Sequence, residues 1–183
     1  MKRFEEKTIS SERIYEGKII NLKVDEVNLP NGKTSKRELI EHPGAVAILA
    51  ITPENKIIMV EQYRKALERS IIEVPAGKLE KGESPETTAM RELEEETGFS
   101  ADSLELIQSF STSPGFADEV VHLYLAVGLK KSESGAVTDD DEFVELMEVT
   151  IEEAEEMMRN NQIYDAKTAF AVLWAKQRLS NEN

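Results

Sequence analysis

The chain contains no cysteine, which excludes both a disulfide framework and a thiolate-held metal site. Its two histidines, His42 in "EHPG" and His122 inside a strand-like run, read as packed or surface residues; a zinc site built on them would need a third protein ligand. No run of about 18 apolar residues, the length needed to cross a bilayer, occurs, and the opening "MKRFEEKTIS" lacks the apolar core of a secretory signal. The expectation is a cytoplasmic protein with no membrane partner. Positive charge is also scarce, with 22 Lys and Arg against 36 Asp and Glu, a net charge of −14. A nucleic-acid partner is therefore not expected, because neutralising backbone phosphates takes a positive surface. An acidic protein that handles small polyanions needs metal cations to do so.

What is present suits one globular domain with or without a small appendage: 183 residues, of which 40% are hydrophobic and 32% charged. Residues 16–29 alternate, Asn31-Gly32 is a turn signal, and residues 33–41 return as a partner strand, giving an N-terminal antiparallel hairpin. The apolar runs 45–51 and 56–64 read as strands covered on both faces, and residues 70–77 as a short strand ended by Pro75 and Gly77. Strands are also expected over 104–111, 120–127 and 143–150, and helices over 151–158 and 166–179, the last with Ala169, Val172, Leu173, Trp174 and Ala175 in its periodic pattern. Met59, Met147, Met157 and Met158 read as core filler. A mixed sheet with several helices places the fold in the α/β or α+β class.

The most informative stretch is "GKLEKGESPETTAMRELEEETGF", residues 77–99. Ser84 is a good N-cap, Pro85 suits the first helical position and Gly98 the residue past the end, so a helix is expected over 85–97. That helix places Glu92 and Glu96 on one face with Glu95 beside them, and Ala89 and Leu93 on an apolar face. Carboxylates at that spacing repel, and at a helix C-terminus they also oppose the dipole. A solvated acidic face is one reading of the glutamates. The other is a divalent cation, Mg²⁺ or Mn²⁺, among converging carboxylate oxygens, with Arg91 holding a neighbouring carboxylate in position.

The spacing Gly77, Glu83, Arg91-Glu92-Leu93, Glu95-Glu96, Gly98-Phe99 resembles the Nudix box, GX5EX7REUXEEXGU with U apolar, at every specified position. The resemblance implies the Nudix fold, a mixed β-sheet sandwiched between helices, and hydrolysis of a nucleoside diphosphate joined to another group. It implies Glu92 and Glu96 as principal metal ligands, Glu95 as a further one, and Glu83 and Arg91 as residues that orient the loop and helix. It also implies the Ala76 carbonyl as a backbone ligand, with two or three metal ions per site.

Outside the box, "SPGF" with Pro114, together with "RELIEHPGAVAIL", "VEQYRKALER", "IIEVPAGKLEKGE" and "YDAKT", is similar to bacterial ADP-ribose pyrophosphatases over residues 10–180. That similarity implies cleavage of ADP-ribose to AMP and ribose 5-phosphate, with Arg64 clamping the diphosphate and Arg37 and Glu73 as phosphate and ribose contacts. Arg64 could instead make a surface salt bridge, and Arg37 and Glu73 could be ordinary exposed strand residues. The similarity implies a catalytic base in the acidic run "TDDDEF", best matched by Glu142, with Asp140, Asp141 and Glu119 as alternatives. It also implies division into a hairpin extension, residues 1–42, exchanged across a homodimer, and a Nudix hydrolase domain, residues 43–183. Other nucleoside diphosphate substrates (a nucleotide sugar, a dinucleoside polyphosphate or NADH) and a non-catalytic ADP-ribose binder are the rival readings.

Overall fold

In a computed structural model of the chain, residues 3–132 and 143–181 are described. They separate into two compact units. One comprises the described residues of Met1–Gly44 with Ser111–Val120, the other those of Ala45–Phe110 and Val121–Asn183.

In the first unit, β1 (Lys7–Glu16), β2 (Asn21–Asn28) and β3 (Thr34–Glu41) form an antiparallel sheet in that order. The β2–β3 hairpin is the expected one. Its turn places Gly32 at φ 81°, and the Asn31 side chain accepts the Lys33 N–H at 3.0 Å. β1 was not expected; it is exposed along its whole length and carries no buried face to mark it. Segment 111–120 joins this unit through the Ile40–Ala117 bridge and the Asp118 carboxylate, which accepts the His42 N–H at 2.8 Å.

The second unit contains β4 (Ala45–Ala50), β5 (Ile57–Arg64), β6 (Arg69–Glu73), β7 (Ala76–Lys78), α1 (Pro85–Thr97), β8 (Phe99–Ser100) and β9 (Ser103–Ser111), the last ending one residue into the first unit. It continues with β10 (Val120–Val127), entered from the first unit's final residue, then β11 (Lys130–Lys131), β12 (Val144–Val149), α2 (Ile151–Arg159) and α3 (Ala166–Asn181). One sheet has the order β7-β4-β10-β9, another β12-β5-β6, and β8 pairs with β11. β10 runs parallel to β4 and β7 antiparallel to it, so the first of these sheets is mixed.

β4 has no polar face because both of its faces are covered. Val46, Ile48 and Ala50 meet Ala89 and Leu93 of α1, while Ala47 and Leu49 share a core with Ala154 of α2 and Ala171, Val172 and Ala175 of α3. Helices thus lie on both sides, as expected. On α3 the expected face is shifted: Val172 and Ala175 are buried, but Leu173 is exposed. Phe170, also outward, packs instead on Phe110 of β9, with ring centroids 5.6 Å apart.

α1 has the bounds and caps expected for it. The Ser84 side chain accepts the Thr87 N–H at 3.2 Å, and Gly98, at φ 69°, donates its N–H to the Glu94 carbonyl at 2.8 Å. Leu93, like Ala89, is fully buried where this helix docks on β4. Leu93→Ala is expected to cost about 2–5 kcal/mol, measured by urea unfolding.

Candidate active site

β6 and β7 are separated by Val74-Pro75, because proline offers no N–H to a ladder. The Pro75 carbonyl still accepts the Ile48 N–H at 2.8 Å, and Ala76 and Gly77 then pair with Ala47 and Val46. This fixes β7 beside the strand on which α1 docks, and brings the glutamates of α1 to it. Glu96, 4% exposed, accepts the Ala76 N–H at 3.0 Å. Glu92, 9% exposed, lies against Gly77: a Cβ there would sit 2.0 Å from the Glu92 carboxyl carbon. Gly77 is therefore required for close approach, whereas Gly82, at φ 94°, is required by its backbone conformation.

Arg91 stands among the acids. Its guanidinium lies 2.6 Å from Glu95, 3.0 Å from Glu92, 3.5 Å from Glu83 and 3.8 Å from Glu80. Burial disfavours its charge, but the Glu95 hydrogen bond and the charges of Glu92, Glu95 and Glu83 outweigh this and hold it more firmly protonated than an ordinary arginine. Glu83 also accepts from the Thr88 hydroxyl at 2.8 Å, tying the loop before the helix to its second turn. Much of the repulsion along the helix is thus answered by the chain's own cation.

A second charged group lies where β5 and β6 pair. Arg64 donates from Nε at 2.5 Å and Nη2 at 3.0 Å to the two oxygens of Glu73, and Lys167 also bonds Glu73. Glu73, 2% exposed, is no ordinary surface residue of a strand. Lys167 is held in turn by Asp165 at 3.0 Å, and Asp165 accepts the Thr168 N–H at the start of α3. Burial pushes the Glu73 carboxyl up, but the Arg64 hydrogen bond and the Lys167 and Arg64 charges overcome it and hold it below its usual value. Burial disfavours the Arg64 charge, but the Glu73 hydrogen bond and the charges of Glu73, Glu96 and Asp165 outweigh it and hold Arg64 more firmly protonated than an ordinary arginine.

Arg37 and Pro114 belong to the first unit. Arg37 makes a bidentate pair with Glu6 at 2.7 and 2.8 Å, and Pro114 sits in an exposed turn closed by the Phe116 N–H to the Ser113 carbonyl at 3.1 Å. Glu119, also in that unit, accepts from the Thr112 hydroxyl. Glu142, Asp140 and Asp141 lie outside the described residues. Reading the sequence missed Lys167 and Thr168 as partners of the β6 end; their only local signal was the "YDAKT" stretch itself.

The donors gathered at β7 and α1 are all oxygens, the chemistry a hard divalent cation takes. Among the described residues no three Asp, Glu or His side chains are grouped to hold an ion by themselves. Glu92 and Glu96 fit such an ion only together with further oxygens, of which the Ala76 carbonyl is the nearest in sequence to their backbone partners.

A family model described as the NUDIX domain matches residues 41–170, and one described as the nucleoside diphosphate sugar hydrolase N-terminal domain matches residues 6–40. The chain belongs to the Nudix family. It is 61% identical to an ADP-ribose pyrophosphatase of Bacillus subtilis over 94% of this chain and 93% of that one. It is also 61% identical to a methanol dehydrogenase activator of Bacillus methanolicus over 93% and 92%. A solved structure described as an ADP compounds hydrolase shares the fold, with a TM-score of 0.84 at 19% identity over 98% of this chain and 96% of that one. Among the described residues, no helix is long and apolar enough to cross a membrane.

Two outcomes test this geometry. If the Glu92 carboxylate that a Cβ would displace takes part in the reaction, Gly77→Ala is expected to keep the far-ultraviolet circular dichroism of the parent while lowering turnover about a hundredfold, the cost that a misplacement of about 1 Å can carry. Glu73 has a folded pKa below its unfolded one, so its contribution to stability is complete above the ordinary glutamate range of about 4.3 and is lost as pH falls through the depressed value. In thermal melts between pH 6 and pH 2, Glu73→Gln should flatten the acid limb; an unchanged slope would contradict the pairing.

Proposed function

We propose that the chain hydrolyses the diphosphate of ADP-ribose to AMP and ribose 5-phosphate, with Mg²⁺ or Mn²⁺, two or three ions per site. The observation that carries this reading is the pair of buried carboxylates, Glu92 and Glu96, held at the edge of β7 by Gly77 and the Ala76 N–H. Support for the substrate comes from the 61% identity to the Bacillus subtilis ADP-ribose pyrophosphatase.

Glu92, Glu96 and the Ala76 carbonyl would hold the ions, with Glu95 as a further ligand. When bound, such ions neutralise diphosphate charge and lower the pKa of water. Glu83 and Arg91 keep the loop and helix in register. Arg64 binds the diphosphate oxygens, as a planar guanidinium does bidentately. Arg37 and Pro114 are further substrate contacts, and Glu142 takes the proton from the attacking water. We further propose a cytoplasmic homodimer in which residues 1–42 form a hairpin extension exchanged between the two copies and residues 43–183 form the hydrolase domain. The exposed Ile9, Ile14 and Tyr15 of β1 support that exchange.

A second reading is favoured by the equal identity to the Bacillus methanolicus protein: action on a dehydrogenase. Turnover of a methanol dehydrogenase with and without the chain separates the two. For the first reading, the purified protein with Mg²⁺ should convert ADP-ribose to AMP and ribose 5-phosphate faster than it cleaves nucleotide sugars, dinucleoside polyphosphates or NADH, and a chelator should abolish the reaction. Glu96→Gln should retain the fold and lose nearly all turnover. Glu142→Gln should lower kcat by roughly 10²–10⁴-fold while ADP-ribose still binds; a parental rate would move the base to Asp140, Asp141 or Glu119.

A further inference from the structure

Glu73 is engaged on every side. One oxygen takes Arg64 Nε, the other takes both Arg64 Nη2 and Lys167. With its residue only 2% exposed, this carboxylate has little capacity left for a hydroxyl of the substrate. Arg64 differs: its side chain is 40% exposed, against 14% for Lys167. A guanidinium has five N–H groups in a rigid plane. Glu73 uses the edge formed by Nε and Nη2, which leaves the Nη1 and Nη2 edge directed away from it, and no described residue hydrogen-bonds Nη1.

We propose that Glu73 is a positioning residue that holds the Arg64 guanidinium by one edge so that the other meets the substrate's diphosphate, with Lys167 as the second cation that keeps the buried carboxylate matched. The proposal rests on the preceding reading in assigning the diphosphate to Arg64. It gives Glu73 a part different from the ribose contact expected for it.

Lys167 serves this arrangement because of where α3 begins. Asp165 caps the helix and holds the ammonium, and the Thr168 hydroxyl accepts the N–H of Val74, the neighbour of Glu73, at 3.1 Å. The start of α3 therefore fixes Glu73 and its backbone together. Were Arg64 the sole counter-ion, an arriving phosphate would compete with Glu73 for one charge. With Lys167 present, the guanidinium can serve both acids. Fixing a flexible arginine beforehand also spares the entropy of ordering it on binding.

A double-mutant cycle tests this. Glu73→Gln, Arg64→Ala, their combination, Lys167→Met and Lys167→Arg are compared by kcat and KM for ADP-ribose with Mg²⁺, and by calorimetric Kd for ADP with Mg²⁺, with melting temperature recorded for each. Glu73→Gln alone should lower kcat/KM and weaken ADP binding roughly tenfold, the worth of a charged hydrogen bond, but add less than about twofold once Arg64 is Ala. Lys167→Arg should retain more activity than Lys167→Met. In the parent, the Arg64 Nε–H resonance should exchange slowly with solvent and lose that protection in Glu73→Gln, a readout independent of folding and of turnover. An equal cost of Glu73→Gln in both Arg64 backgrounds would overturn the proposal. If Arg64→Ala alters neither ADP binding nor turnover, the proposal falls while cleavage stands. If the parent does not cleave ADP-ribose but the cycle in ADP binding shows coupling, the positioning role stands and the substrate reading falls.

Discussion

Carboxylates crowded on one turn of a helix repel one another unless positive charge stands among them, and on α1 that charge is Arg91. Its contacts with Glu80, Glu83, Glu92 and Glu95 gather acids from the loop and the helix around one guanidinium. Reading the sequence attributed the tolerance of so much negative charge chiefly to bound cations. The structure divides the work. Arg91 answers Glu92, Glu95 and Glu83, while Glu96 is met by the backbone N–H of Ala76. The acids are thus oriented by the chain itself, so the proposed ion would need little reorganisation to bind them.

The same logic recurs at the other end of β6. A carboxylate removed from water is costly unless its charge is matched and its lone pairs are filled. Glu73 satisfies this with Arg64 and Lys167 just before the connection through Pro75, and Glu92 with Arg91 against Gly77 of β7. Sheet pairing of β7 with β4 and docking of α1 on β4 are what bring the two charged groups into one unit.

Much of this was legible in local sequence. Helix α1 was readable to the residue because Ser84, Pro85 and Gly98 mark its ends by backbone chemistry that acts over a few residues. The β2–β3 hairpin was marked by Asn31-Gly32, and β4 by an unbroken apolar run. The box spacing singled out Glu92, Glu95 and Glu96, of which Glu92 and Glu96 are buried beside β7. What escaped reading depends on distant partners. β1 has no buried face, so no alternation betrays it. The exposure of Leu173 follows from which side of α3 meets the sheet, a choice that nearby residues do not encode. The burial of Glu73 depends on Lys167, 94 residues away, and the need for glycine at position 77 on the Glu92 carboxyl.

A divalent-cation site formed by the oriented acids of α1 and the edge of β7 would show in a titration of ¹⁵N-labelled protein with Mn²⁺, read as the amide resonances that broaden. Broadening should begin at Ala76, Gly77 and the amides of Glu92 to Glu96, and Glu96→Gln should remove it. Broadening that begins at other acidic surfaces, and is indifferent to Glu96→Gln, would contradict such a site.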